Sequence, residues 1–559
     1  MVAFAFSFGQ VWSALGLPLR AIRGSRLVKA GSFVSLVIDG PVVELAEPAP
    51  FWRRRTSRTL SLMAVRRLVS LIAKDPKVKG LVVEIRSLRT GAAVATSLRE
   101  ALFALRASGK ALAVHLPMGA GSREMLVASA ADRIFMGPQS TILPLGVAVE
   151  TRYLRRALDK IGVLPEIFAR GEFKTAGESL ARDAMSNEQH EQLGALLDVL
   201  GDELEGALSS SRGIERDRVR QLVDSGPFRA AEAVENGLVD HTAYDDELPK
   251  LLSPSAEVPR CFVPAAAYLA VRRAPPLPKR VGVVHVKGPI VSRAPMAFGR
   301  VAVDERVMAA LAKARESRRI AGVVVVIDSP GGSVLASDRI YHEVLRLAEK
   351  KPVVAYFGNV AASGGYYVAS AAHAIVAQPT TVTGSIGVVA AHLVLAPLLA
   401  KVGVVTEIVK RGARADMLSS SRTLDEGERA AMTREIEGFY LDFVGVVARG
   451  RHRAPEEIDK LARGRVYSGR EAAANGLVDQ LGNFETAIDL VRERLGEPRE
   501  LGPAVMKLPT MAPRPPEVPG PFVDVMDSLG GRALGDLVAL ALSIGPTERV
   551  LAFEPMLVS

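Results

Sequence analysis

A single cysteine, Cys261, stands in 559 residues. That excludes an internal disulfide and a cysteine zinc cluster. It leaves the compartment open, because a chain without disulfides persists on either side of a membrane. Lysine and arginine are nowhere gathered into a dense stripe with interleaved aromatics, which argues against a nucleic-acid partner. The net charge of +10 is modest for this length and suits anionic lipid or acidic neighbours. Basic residues are missing ahead of the first apolar run, so no cleaved signal peptide is expected. With 48% hydrophobic and 24% charged residues the chain is neither disordered nor a polytopic membrane protein. Its length implies two or more domains.

The first apolar run covers residues 2–19, followed by Arg20, Arg23, Arg26 and Lys29. Eighteen residues is the short edge for a spanning helix, and Gln10 and Pro18 weaken it further. Residues 1–29 therefore read as a short or interfacial membrane anchor, or as a packing helix. If the segment spans, the arginines behind it favour a cytoplasmic main body.

The rest of the chain repeats itself. "MLVASAADRI" (125–134) returns as "YYVASAAHAI" (366–375), and "KIGVLPEIFARGEF" (160–173) as "KVGVVTEIVKRGAR" (401–414), both at an offset of 241. "ENGLVD" (235–240) returns as "ANGLVD" (474–479), and "LVIDGPVV" (36–43) pairs with "VHVKGPIV" (284–291). Ordered matches at a near-constant offset identify two copies of one domain. The expected domains are 30–253 and 281–497, joined by a Pro-rich linker, 254–280. A Pro-rich stretch and apolar tail occupy 498–559.

Within each copy, apolar β-rich runs such as "GLVVEI" (80–85), "GVVVVI" (322–327) and "PVVAYF" (352–357) read as buried strands. Between them, "ASDRIYHEVLRLAEK" (336–350) reads as a helix with Ile340, Val344, Leu345 and Leu347 on one face. The alternation predicts an α/β fold, duplicated in tandem, with βαβ units around a mainly parallel sheet.

The differences between the copies carry the chemistry. "NVAASGGYYVASAAH" (359–373) presents Ser363 where an apolar run feeds a helix, as at a tight strand-to-helix turn. Its counterpart at 122 is also a serine, but the glycines behind it are replaced by Arg123 and Glu124. "DSPGGSV" (328–334) likewise has lost its glycine pair in "RSLRTGAAV" (86–94). Downstream the reverse holds: "RGEFKTA" carries Lys174, whereas the second copy has Ala415. Neither copy is complete alone. A serine hydroxyl needs a base to become a nucleophile, and a buried lysine of lowered pKa can be that base. Gly331, Gly332 and Gly364 offer backbone N–H groups for a developing oxyanion.

"DSPGGSV", "AASGGYYVAS", "TVTGSIGV" (381–388), "RGEFKTA" and "GRVYSGREAAANGLVDQLG" (464–482) form an ordered set. As a set they resemble the signal peptide peptidase A family of serine proteases in its long, duplicated form, whose fold the Clp protease and the crotonases share. The resemblance implies a serine endopeptidase, bound to the bacterial inner membrane, that degrades released signal peptides and other apolar peptides through an acyl-enzyme. It implies Ser363 as nucleophile, Lys174 as general base, Ser385 as the lysine's hydrogen-bond partner, and Gly331, Gly332 and Gly364 around the oxyanion hole. It further implies a homotetramer and no cofactor or metal.

Three other readings fit parts of the sequence. In a Clp-like triad, His373 or His392 would serve as base, oriented by Asp328 or Asp416. A crotonase-like acyl-CoA enzyme would share the fold and the glycines without needing Lys174. An inactive peptide-binding membrane scaffold would need neither Ser363 nor Lys174.

Overall fold

The computed structural model describes residues 27–46, 59–253, 262–272, 280–292, 301–497, 505–508, 510 and 550–552. The apolar segment 2–19 lies outside them. Among the described residues no helix is long and apolar enough to cross a membrane.

The chain divides into two compact units. One is drawn from residues 1–147 and 200–276, the other from 148–199 and 277–559. Residues 148–199, which belong to the first sequence copy, thus pack with the second.

In the first unit, strands Val263–Pro264, Ser32–Val43, Val78–Arg89, Ala111–Leu116, Arg133–Met136 and His241–Thr242 lie side by side in that order, all parallel. Helices such as Leu62–Lys74 and Ala92–Ala107 connect them in the βαβ manner and bury one apolar face each. Val263–Pro264 and the helix Ala265–Val271 come from the stretch whose prolines suggested a linker. They are held because Tyr268 is fully buried, with its hydroxyl 3.2 Å from Asp75 Oδ2, while Arg272 Nε donates to the same oxygen at 2.9 Å.

The second unit holds two sheets. The main one runs Val466–Ser468, Val382–Gly384, Val353–Ala362, Gly322–Ser329, Val281–Lys287 and Val505–Leu508, with Ala374–Ala377 also on Val353–Ala362. It is parallel except where Val466–Ser468 meets Val382–Gly384. The β-rich runs predicted at 322–327 and 352–357 fall inside its two central strands, and Val323–Ile327 and Val353–Phe357 are buried on both faces, as a covered parallel sheet requires. The helix predicted at 336–350 occupies Val334–Ala348, with Ile340, Val344 and Leu347 buried. Leu345 instead is 38% exposed. Residues 340, 344 and 347 follow the i, i+4, i+7 stripe, and 345 is rotated about 100° away from 344.

The other sheet, ordered Ala302–Val303, Ile290–Val291, Gly332–Ser333, Val550–Ala552, Val388–Val394 and Leu164–Arg170, positions the candidate site. Leu164–Arg170, from the first copy, pairs antiparallel along all seven residues of Val388–Val394, from the second.

Candidate active site

Ser363 closes the strand Val353–Ala362 and caps the helix Gly364–Ala369. Its backbone, at φ 54° and ψ −119°, is one that residues with a side chain rarely adopt. The strain is held by a ladder on one side and a helix on the other, and by the Ser363 N–H donating to Gly384 O at 2.8 Å. The two residues that follow have no room for side chains. A Cβ on Gly364 would stand 2.4 Å from Ser337 Oγ, and one on Gly365 2.9 Å from Ser329 O. Glycine is required there by close approach.

Lys174 follows the strand Leu164–Arg170, at the cap of the short 3₁₀ turn Thr175–Gly177. Three backbones meet around it with only glycines between them. A Cβ on Gly464 would lie 2.4 Å from Lys174 N, one on Gly171 2.2 Å from Arg463 C, and one on Gly387 2.8 Å from Gly464 Cα. Phe173 N–H donates to Arg463 O at 3.0 Å, and Gly464 N–H to Ile386 O at 2.9 Å. Arg465 stacks over the Phe173 ring at 4.7 Å and pairs with Glu191 at 2.8 Å.

The result is a buried cluster of three side chains. Lys174 Nζ lies 3.1 Å from Ser363 Oγ, 2.7 Å from Ser385 Oγ and 3.0 Å from Ser385 O. Both serines are fully buried and Lys174 is 4% exposed. Ser385 also has positive φ, 51°, and its N–H donates to Arg465 O at 2.7 Å. Of the three glycines expected near an oxyanion, Gly331 has its N–H directed to Ser329 Oγ at 3.2 Å. Gly332 and Gly364 adjoin one another: a Cβ on Gly364 would be 3.3 Å from Gly332 N.

The histidines of the triad alternative are engaged elsewhere. His373 Nδ1 accepts from Val353 N–H at 3.1 Å, and burial, aided by the Arg494 guanidinium, lowers its pKa. His392 Nδ1 sits 2.7 Å from Glu166 Oε2, and its Nε2 is 2.9 Å from Ser419 O. Asp328 pairs with Lys287, and Asp416 with Lys410 and Arg422. In the first unit, Ser122 Oγ is spent on Gly146, donating to its carbonyl at 2.7 Å and accepting from its N–H at 3.0 Å. The Glu124 carboxylate accepts from Leu88 and Gly121 N–H groups there. An anion already occupies those backbone donors.

Sequence reading did not find Gln192, Gly464 or Gly171 as site residues, because their roles come from contacts far apart in the chain. The repeat of "ARG" before position 174 and after 461 is too short to have flagged them. Gly464→Ala places a methyl against the lysine backbone at φ +80°. It is expected to lower kcat by about 10²-fold through displacement of Lys174. Peptide hydrolysis, run beside far-ultraviolet circular dichroism, checks this: lost rate with retained secondary structure is the expected outcome.

The model for peptidase family S49 matches residues 104–258 and 346–496, one match in each copy, and that for the Clp protease matches 299–383. Serine protease SPPA, chloroplastic, of Arabidopsis thaliana is 28% identical over 529 residues, covering 91% of this chain and 75% of that protein. Protease 4 of Haemophilus influenzae is 27% identical over 85% of this chain and 81% of its own length. Protease 4 of Salmonella typhi is 31% identical over 74% of this chain and 69% of its own. The fold is therefore a tandem Clp-protease-like duplication, and the chemistry that of a serine-type protease. With both copies matched and relatives aligned along most of its length, the chain belongs to peptidase family S49.

Proposed function

We propose that the protein is an endopeptidase acting through a Ser363/Lys174 dyad on released signal peptides and other apolar peptides. The observation that carries this reading is the 3.1 Å approach of Lys174 Nζ to Ser363 Oγ, both buried. A neutral amine has two N–H donors and one lone pair. The two Ser385 acceptors suit the N–H groups, and the lone pair suits the Ser363 hydroxyl proton. Burial disfavours the ammonium form and so keeps the amine available as a base. In the reaction Ser363 Oγ attacks the peptide carbonyl as its proton passes to Lys174 Nζ. Gly332 and Gly364 N–H groups stabilise the oxyanion. Lys174 then protonates the leaving amine and is neutral again. It deprotonates a water that attacks the acyl-enzyme carbonyl, and it returns that proton to Ser363 Oγ as the acyl group is released as the acid.

A general base works only when neutral, so the rate rises with pH through the lysine pKa. Ser363→Ala, Lys174→Ala and Lys174→Arg are each expected to lose at least about 10³-fold in kcat/KM on an apolar fluorogenic peptide. Wild type should rise in rate between pH 6 and 10. Activity of Lys174→Ala near wild type removes the dyad.

The substrate is read as an extended strand. Gly332–Ser333 and Val388–Val394 stand two places apart in their sheet, and the chain's own Val550–Ala552 lies antiparallel to both, pairing Leu551 with Ser333 and Val389. A peptide in that place would gain main-chain hydrogen bonds on both edges, with alternate side chains reading the walls. The tail then competes with substrate. Leu551→Pro removes the N–H needed by a central strand and is expected to lower KM several-fold with kcat unchanged. An unchanged KM would mean that substrate binds elsewhere.

Assembly as a homotetramer at a membrane surface completes the reading. The repeat supports it: shifted by 241, strand 164–170 falls on 405–411 and strand 388–394 on 147–153. Neither counterpart lies in a multi-residue strand among the described residues, Val149 alone making a single β-bridge, and Val405 and Val409 are 85% and 102% exposed. Pairing 405–411 of one copy with 147–153 of the next would repeat the ladder already made within each chain and propagate head to tail until a ring closes. Light scattering should give four chains for wild type and smaller species for Val405→Lys/Val409→Lys. Flotation with anionic vesicles should be lost when residues 2–19 are deleted. A monomeric, vesicle-free wild type contradicts both.

A further inference from the structure

The general base sits on a segment that no ladder fixes. The strand before Lys174 ends at Arg170, and the turn after it begins at Thr175. A lysine side chain is long and flexible, so the position of its amine depends on how firmly its backbone is held.

Gln192, in the helix Asn187–Arg212, is 1% exposed and spans that gap with one side-chain amide. Its Nε2 donates to Phe173 O at 3.3 Å and to Thr175 Oγ1 at 2.8 Å, gripping the residues on either side of Lys174. Its Oε1 accepts from Val466 N–H at 3.1 Å. The partners fix the amide's orientation, since a carbonyl only accepts and a backbone N–H only donates. Val466 opens the strand that pairs with Val382–Gly384, and Gly384 O in turn accepts the Ser363 N–H. One amide therefore links both neighbours of the base to the strand pair that carries the nucleophile's backbone.

We propose that Gln192 is a positioning residue that sets the distance and burial of the Lys174 amine relative to Ser363. The proposal rests on the dyad reading. Gln192 touches neither Lys174 Nζ nor Ser363 in the hydrogen bonds above, so it acts through the lysine backbone. Ser385 holds the amine itself, whereas Gln192 is a side chain that, together with the backbone contact of Phe173 with Arg463, holds the chain from which the amine is hung. Its predicted signature is in kcat and in the pH profile, with substrate binding spared.

The test uses full-length protein carrying Gln192→Met, which keeps the volume and removes the three hydrogen bonds. Labelling of Ser363 by a fluorophosphonate is followed against pH, beside kcat and KM on an apolar fluorogenic peptide. Gln192→Met should label and turn over about 10- to 100-fold more slowly. KM should stay within about twofold, and the rising limb should move to higher pH as the amine becomes wetter. Thr175→Ala, which removes only one of the three contacts, should shift both quantities in the same direction by less. The double variant should fall short of the product of the two, because both act through one amide. Should Gln192→Met fail to fold, Thr175→Ala alone carries the test. Wild-type kcat and pH profile in a folded Gln192→Met, or in Thr175→Ala where the former does not fold, overturn the proposal. Lys174→Ala in the same assay separates the two levels. If it labels like wild type, the dyad has failed. If it is silent while Gln192→Met is normal, only the positioning role has failed.

Discussion

Everything in the site depends on burying an amine against a serine hydroxyl with the two groups supplied by different copies of a repeat. A buried lysine is costly unless its hydrogen bonds are met, and here the Ser385 carbonyl and hydroxyl meet them at 3.0 and 2.7 Å. The constraint propagates outward. The strand that delivers the lysine must reach the sheet of the other copy, which Leu164–Arg170 does through seven paired residues. The backbones around the lysine must then approach to contact distance, which Gly171, Gly387 and Gly464 permit.

The same constraint explains why the two copies have diverged. A serine presented at φ 54° needs residues behind it without side chains, and Gly364 and Gly365 supply them. The corresponding Ser122 of the first copy is held instead by Gly146, and no glycines follow it. In their place stand Arg123 and Glu124, whose carboxylate accepts from local backbone N–H groups. The buried His392–Glu166 pair, which crosses the antiparallel ladder, belongs to the same join. It ties strand to strand between the copies, so a histidine that from sequence alone could have been catalytic contributes to holding the lysine strand in place.

How much of this was legible in sequence follows from what kind of information each feature carries. Strands 322–327 and 352–357 announced themselves because buried parallel strands are apolar throughout. Ser363 and Lys174 stand out when the repeats are compared, since the glycines behind Ser363 are kept only in the second copy and the lysine only in the first. Leu345 reads as part of the buried stripe because hydropathy alone does not separate it from Val344, yet it is turned towards solvent. The structured part of 254–280 was hidden by its prolines, which signal turns but cannot show that Tyr268 is buried against Asp75. Gln192 lay beyond reach: a glutamine on an amphipathic helix reads as a solvated residue until Phe173, Thr175 and Val466 are seen converging on it.

The most direct test of the account replaces the base by one of altered basicity at the same place. In a Cys261→Ser background, Lys174→Cys is alkylated with bromoethylamine, which rebuilds a lysine-like amine with a sulfur in the chain and a lower intrinsic pKa. The account predicts an inactive cysteine variant, activity restored by alkylation, and a rising limb of the pH–rate profile displaced to lower pH than in the Cys261→Ser parent. Activity before alkylation, or a restored enzyme whose profile coincides with the parent's, would contradict it.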